Sequence, residues 1–354
     1  MSGLDIDVVA LSAYLERHVD GFSGPLSVRK FPGGQSNPTF LLEARSGSYV
    51  LRCQPPGKLL KSAHAVDREF RVQRALAGSD VPVAPVYHLC ETPEPLGVKF
   101  YLMAFEQGEI FWDPALPEVA QQRRRDYYEE AIRILAALHD VDVAAVGLAD
   151  FGRPGNYFER QIAVWSSQYR ASETHHIARM ETLANWVQSN CPADDGRSSL
   201  VHGDYRFDNI MFRHGEPRGL AVLDWELSTL GHPLADLAYF CMCLRIPSSE
   251  YTFGLGGRDR HALGLPDERE LVVRYCKRRG IDGIADWHFY IAFSFFRLAA
   301  ILQGVYKRSL DGNASNERAG MMGAMVDQLA AMAIDAIEGE GSIDGTDAVE
   351  RKDR

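Results

Sequence analysis

Cysteine is scarce and shows no pairing pattern: six in 354 residues, at positions 53, 90, 191, 241, 243 and 276, with no CxxC. That excludes a disulfide framework and predicts reduced, buried thiols in a cytosolic chain, a cytoplasmic localisation. The 11 His and nine Met show no metal-ligand spacing either. A basic surplus is missing too, since 38 Lys plus Arg stand against 48 Asp plus Glu, a formal charge of −10. A general nucleic-acid binder needs a basic footprint, so no nucleic acid is expected as a partner. Long apolar runs are absent. The most apolar stretch, Phe289 to Leu302, contains Arg297 and gives way to Gln303 and Lys307, short of the ~20 apolar residues a bilayer span needs. It reads as a core helix, and no membrane is expected. The first residues carry acids where an export signal has bases, with Glu16 and Arg17 soon after, so no export signal is expected.

What is present is an ordinary globular composition, 46% hydrophobic and 24% charged, and a length that suggests two lobes. The periodicity changes along the chain. Residues 4 to 19 predict an amphipathic helix. Short β-branched or aromatic runs then follow, LSVRKF, TFLLEA and SYVLRC, separated by Gly-rich turns, which predicts an antiparallel meander. A helical period over AVDREFRVQRALA and two more extended runs, VAPVYHLC and KFYLMAF, complete a first lobe over 1–105. The remainder, 106–337, is mainly helical. Tyr128, Ile132, Leu135 and Leu138 recur at helical spacing and predict a long helix over 119 to 139. Further helices are expected near 155–170, 173–190, 234–244, 267–280, 285–308 and 317–338. A hairpin, NIMF with GLAVLD, lies between them. Residues 245 to 266 read as an exposed connection, and 338–354 as a disordered acidic tail.

The informative segment is HGDYRFDN, residues 202–209, followed by LDWE at 223–226. Phosphoryl transfer asks little covalent help of a protein. It needs a carboxylate to take the acceptor hydroxyl's proton and hard oxygen ligands for Mg²⁺. Asp204 and Asn209, five residues apart on one loop, suit the catalytic and metal roles, and Asp224 after the hairpin suits the second metal ligand. In the first lobe, GGQSN places Gly34, Gln35, Ser36 and Asn37 in a turn whose backbone can approach phosphate. Arg52, on the same face of strand YVLRC as Val50, is a candidate phosphate-binding cation. Lys58 and Lys61 are alternative phosphate-binding cations. His202 reads as structural support, and Asp236 sits near a helix start, where a carboxylate is favoured. Arg297, if buried, needs a partner, with Asp236 and other acids as candidates. The RRR run at 123–125 and the adjacent His175 and His176 read as solvated surface.

HGDYRFDN…LDWE resembles the HxDxxxxN…D signature of the kinase-like superfamily in its aminoglycoside phosphotransferase form. The runs GGQSNPTFLL, HAVDREFRVQRAL and GHPLADLAYF are most similar to the kinase domain fused to some acyl-CoA dehydrogenases and to its free-standing bacterial relatives. The resemblance implies an α+β, bilobal protein-kinase-like fold, with a small antiparallel-sheet N-lobe and a larger helical C-lobe. It implies ATP and Mg as cofactors and a small-molecule hydroxyl substrate, with a hydroxyacyl-CoA favoured. It also implies a functional link to an acyl-CoA dehydrogenase, that Arg52 stands where the superfamily usually has Lys with Glu69 on the next helix as its partner, and that backbone at Met103 and Phe105 contacts adenine. An aminoglycoside or choline-type kinase, and a nucleotide-binding pseudokinase, are the alternatives. A protein kinase fits less well, because Asp224 is followed almost at once by STLGHPLADLAYF, leaving little room for a peptide platform. Tyr157, Gln161, Trp165 and the 245–266 connection are the positional candidates for reading the substrate.

Overall fold

The computed structural model describes residues 4, 6–31, 37–57, 64–249, 252, 254–311, 320, 322–339 and 341–344. Helix α1 (Val8–His18) starts at Asp7, whose carboxylate accepts the Ala10 amide at 2.9 Å, satisfying one of the open N–H groups of the first turn. The strands β1 (Ser27–Lys30), β2 (Thr39–Ala44), β3 (Gly47–Cys53), β4 (Val86–Cys90) and β5 (Phe100–Ala104) form one antiparallel sheet in the order β1-β2-β3-β5-β4. Strand alternation gives this sheet two apolar faces. Phe100 and Leu102 of β5 pack with Leu42, Leu51 and the α1 residues Leu11 and Leu15. Tyr101 points the other way, onto Val66 and Phe70 of α2 (Val66–Leu76).

The second lobe is built on α3 (Gln121–Asp140), whose Tyr128, Ile132, Leu135 and Leu138 are fully buried. Short β6 (Glu109–Ile110) crosses into this lobe and pairs with β8 (Ile210–Phe212), which pairs with β9 (Gly219–Val222). Gly108 precedes it where any Cβ would lie 2.4 Å from the Phe212 carbonyl oxygen, so only glycine passes here. A second ribbon pairs β7 (Ser199–Val201) with β10 (Thr229–Gly231). Helices α4 (Tyr157–Ser172), α5 (Ala178–Ser189), α6 (Leu234–Arg245), α7 (Glu268–Arg279), α8 (Trp287–Leu310) and α9 (Met322–Ile337) enclose one large core. Helix α8 lies against α4, α5, α6 and α9. By length and composition it could cross a bilayer, but 67% of that stretch is buried within the chain, so it serves here as a core helix. The fold is therefore α+β in two lobes.

Several sequence expectations change. Part of the expected disordered tail is ordered: β12 (Ile343–Asp344) pairs with β11 (Gly283–Ile284), because Ile343 supplies an apolar anchor that is 7% exposed. The 245–266 connection is folded onto the core through Leu255 and Leu265, with Gly254 and Gly256 pressed against the backbone of 245–247. The arginine run is engaged rather than merely solvated: Arg124 donates to the Leu263 carbonyl and Arg125 pairs with Glu270. His175 and His176 are exposed as expected, but in the link between α4 and α5 rather than on a helix.

Candidate active site

Strand β7 delivers the chain into the loop at His202. His202 is fully buried, donates from Nε2 to the Leu223 carbonyl at 2.8 Å, and accepts the Asp204 amide at Nδ1 at 3.2 Å. Both ring nitrogens are thereby used in holding backbone, which leaves neither for proton transfer. Asp236, on α6, accepts the His202 amide at 2.6 Å and the Gly203 amide at 2.9 Å. Burial would raise its carboxyl, but the bonds from His139 and from the His202 amide outweigh it and hold it below the ordinary carboxylate range. His139 itself is pushed down by burial. It bridges Tyr275, at 2.7 Å, to Asp236, at 3.4 Å.

Arg297 meets the same loop from α8. Its partner is a backbone carbonyl, that of Gly203 at 2.6 Å, rather than Asp236 or another acid. The guanidinium lies 5.2 Å from the Tyr239 ring centre and 5.6 Å from that of Trp165. Two aromatic faces and a carbonyl provide enough compensation for a buried cation, and Asp236 is already taken by two amides. Gly203 is thus bonded at both its N–H and its C=O.

Asp204 follows that pinned peptide. Asn209 donates from Nδ2 to the Asp204 carbonyl at 2.9 Å and to its carboxylate at 3.2 Å. The Asn209 carbonyl accepts the Leu223 amide at 2.8 Å, and Ile210 pairs with Val222. The hairpin therefore sets Asp224 beside Asn209. Asp224 takes a left-handed conformation, φ +63° and ψ +60°, which Asp tolerates better than most residues. That bend turns the chain into a short 3-10 turn, Trp225–Leu227, anchored by the buried Trp225.

From the first lobe, Arg52 reaches this point. Its Nη2 donates to Asp224 Oδ1 at 2.6 Å, while its Nε lies 2.6 Å from Glu69 Oε2 as an ion pair whose N–H is not aligned for a hydrogen bond. Burial would lower the Arg52 pKa, but Glu69, Tyr101 and Asp224 outweigh it and keep the group charged. Burial pushes the Glu69 carboxyl up to about 7, against the pull of Arg52. Glu69 is further held by Asn37 Nδ2 at 2.7 Å and by the Tyr101 hydroxyl at 3.2 Å. Asn37, expected to face phosphate, is instead 1% exposed, with its amide shared between Glu69 and His64. It braces Glu69 because a buried carboxylate needs donors.

Gly34, Gln35, Ser36, Lys58 and Lys61 lie outside the described residues. Met103 pairs with Val50 on β3. The Phe105 amide, an expected adenine donor, is directed at the Ser48 carbonyl at 3.4 Å, and the Ala104 amide at Pro85 at 2.8 Å. Sequence reasoning missed Arg206, inside the motif itself. It bonds Asp208 at 2.8 Å and stands 3.5 Å from Asp204. Burial would lower its pKa, but these two acids raise it instead. Tyr157 is buried against Gly231, while Gln161 accepts the Trp165 indole N–H at 2.9 Å. Two cavities lie away from this cleft: a groove of about 720 Å³ lined by Asp80, Arg133, Asp140 and Arg278, and a pocket of about 310 Å³ lined by Glu159, Asp195, His232 and Tyr290. Neither includes Asp204, Asn209 or Asp224.

The model of the phosphotransferase enzyme family matches residues 27–271. A crystal structure from Ralstonia eutropha, of a protein classed with the aminoglycoside phosphotransferases, is 47% identical. It covers 94% of this chain and 99% of its own, with a TM-score of 0.86. Acyl-CoA dehydrogenase family member 10 from Mus musculus is 45% identical over 333 residues, 92% of this chain but 31% of that protein. The chain thus spans less than half the length of this curated relative. A thermostable aminoglycoside phosphotransferase mutant, in ternary complex with AMP-PNP and hygromycin B, is 15% identical with a TM-score of 0.60 over 94% of this chain, a likeness of fold alone.

Proposed function

The chain belongs to the phosphotransferase enzyme family, and from that premise we propose that it moves the γ-phosphoryl group of Mg²⁺·ATP to a hydroxyl of a small molecule, with a hydroxyacyl-CoA as the favoured acceptor. The observation that carries this reading is the meeting of Asp204, Asn209 and Asp224 at one loop and its hairpin, with Arg52 and Glu69 reaching them from the opposite lobe. The donor set fits magnesium: one carboxylate and one amide oxygen are hard ligands. Magnesium keeps waters and phosphate oxygens as its other ligands. Asn209 and Asp224 would hold it, and when bound it neutralises charge between the β- and γ-phosphates.

Asp204 then has one task. Its carboxylate accepts the proton of the acceptor hydroxyl as that oxygen bonds to the γ-phosphorus. The bond to the β–γ bridging oxygen breaks, and ADP leaves. Asn209, donating to Asp204, keeps the carboxylate aimed at the hydroxyl. Arg52 offers its charge where the phosphates would lie. That relatives 45% and 43% identical to this chain are named as acyl-CoA dehydrogenase family members supports an acyl-CoA acceptor and a functional link to such a dehydrogenase.

The test is transfer of labelled γ-phosphate to a panel of hydroxyacyl-CoAs, aminoglycosides and amino alcohols, beside a thermal-shift titration of ATP with Mg²⁺. Asp204→Ala is expected to lose transfer while retaining nucleotide-dependent stabilisation. Turnover unchanged in that variant refutes the assignment of Asp204. Transfer to an aminoglycoside but to no hydroxyacyl-CoA refutes the acceptor.

A further inference from the structure

Helix α2 carries two arginines, Arg68 and Arg71, on the face that looks away from the sheet and toward the second lobe. They are three residues apart and therefore neighbours on the helix surface. Arg68 donates to the Phe151 carbonyl at 2.7 Å and to the Ser228 carbonyl at 3.2 Å, with its guanidinium 4.0 Å from the Phe151 ring centre. Arg71 donates to the Gly147 carbonyl at 2.8 Å, pairs with Asp150, and lies 5.8 Å from the same ring. Two cations sharing one aromatic ring repel each other, and burial together with Arg71 presses the Arg68 pKa downward.

The surface they grip is closely packed. Phe151 and Ser228 are 1% and 3% exposed. Gly152 packs so closely on β10 that a Cβ there would sit 2.5 Å from Thr229 Oγ1 and 2.6 Å from the Leu230 amide. Ser228 closes the 3-10 turn that opens at Asp224, bonding the Trp225 carbonyl through both its amide, at 3.1 Å, and its hydroxyl, at 2.6 Å.

Adjacent residues of α2 therefore reach the two ends of one short turn. Glu69 reaches its first residue through Arg52, at 2.6 Å and 2.6 Å. Arg68 reaches its last residue directly, through the Ser228 carbonyl. If α2 shifted, the turn would be pulled at both ends. We infer that Arg68 is a positioning residue for Asp224, and that α2 is a strut between the lobes. The metal-binding part of this inference rests on the function proposed above. The mechanical part does not.

Arg68→Met keeps the stem that covers Phe151 and removes both hydrogen bonds, and Arg68→Lys keeps the charge with a single compact donor. Two measurements decide. In calorimetric titrations with AMP-PNP, Arg68→Met is expected to weaken Mg²⁺-dependent binding about tenfold, with binding in EDTA changed less than twofold and Arg68→Lys intermediate. Equal Mg²⁺-dependent affinity in Arg68→Met and the parent protein overturns the assignment to Asp224. In hydrogen exchange on the protein without nucleotide, residues 147–152 and 225–231 are expected to exchange faster in Arg68→Met, and unchanged exchange there overturns the strut. If Arg68→Met fails to fold, Arg68→Lys is read by the same two measurements. Absence of any Mg²⁺-dependent nucleotide binding in the parent protein sinks the proposed function, and the exchange data alone then judge the strut.

Discussion

Arg52 and Asp224 are 172 residues apart in sequence and 2.6 Å apart in space, joined across the cleft by one guanidinium N–H. The same guanidinium lies against Glu69, which is 1% exposed. Removing it leaves a buried carboxylate facing Asp224 without its cation. Breaking such a pair from one side costs ~3–5 kcal/mol, much of it the stranded charge. Arg52→Ala is therefore expected to lower stability by about 3 kcal/mol in urea denaturation at pH 8, where the Glu69 carboxyl is ionised, and by less at pH 5, where it already holds a proton. Arg52→Met combined with Glu69→Gln should lose clearly less than the single changes Arg52→Met and Glu69→Gln added together. Strict additivity of the pair would mean that the contact carries no coupling.

Gly203 is the tightest point of the loop. Its φ is +83°, and a Cβ would stand 2.6 Å from the Leu227 carbonyl oxygen. Gly203→Ala must either flatten φ, breaking the amide bond to Asp236, or push away the turn that begins at Asp224. Either movement displaces a residue assigned to the chemistry. The expected result is a fall in turnover of at least tenfold, equivalent to ~1.4 kcal/mol on the barrier, with far-ultraviolet dichroism unchanged. Full activity in a folded Gly203→Ala protein would show that the loop tolerates re-aiming.

Asp236→Asn tests the support from below. The carboxylate accepts two amides and His139, and an amide side chain offers one oxygen while turning an NH₂ group toward a donor. Leaving a buried N–H unmatched costs ~1–3 kcal/mol. Turnover should drop while the affinity for nucleotide stays within about twofold, because Asp236 touches the Asp204 peptide side of the cleft and not Arg52. Equal losses in both would point to a general loss of structure, which a melting curve would display directly.

Much of this arrangement was legible before any coordinates. The helical spacing of Tyr128, Ile132, Leu135 and Leu138 is a local signal, and so is the five-residue step from Asp204 to Asn209. Arg52 with Glu69 was legible through the family resemblance, since strand alternation alone fixes only which face Arg52 shares with Val50. Other features have no local signature. Strands β7 and β10 are three residues each, too short for a period to show. Arg68 and Arg71 read like any exposed helix charges, since their partners lie 76 to 160 residues away. Arg297 was recognisable as a cation needing compensation, but a backbone carbonyl as its acceptor leaves no trace in residue type. Asn37 was placed with the phosphates because it sits beside Gly-rich sequence, whereas burial of Glu69 required its amide.

Glu69 makes the pH dependence of stability specific. Its carboxyl lies at about 7 in the folded chain, raised chiefly by burial from an ordinary 4.5. Between those values the native state retains a proton that the unfolded chain has released. Unfolding then releases protons, and stability falls as pH rises through this window. The contribution is fully present below about 4.5 and lost above about 7, on the order of 3 kcal/mol at most, taking ~1.4 kcal/mol for each unit of difference. Glu69→Gln removes this titration while keeping acceptor and size. Urea denaturation of both proteins at pH 5 and pH 8 should therefore show the parent losing more stability than Glu69→Gln on going to the higher pH. Parallel pH slopes would place the Glu69 proton elsewhere. They would mean that Arg52, together with the Asn37 and Tyr101 donors, holds the carboxylate ionised across the range.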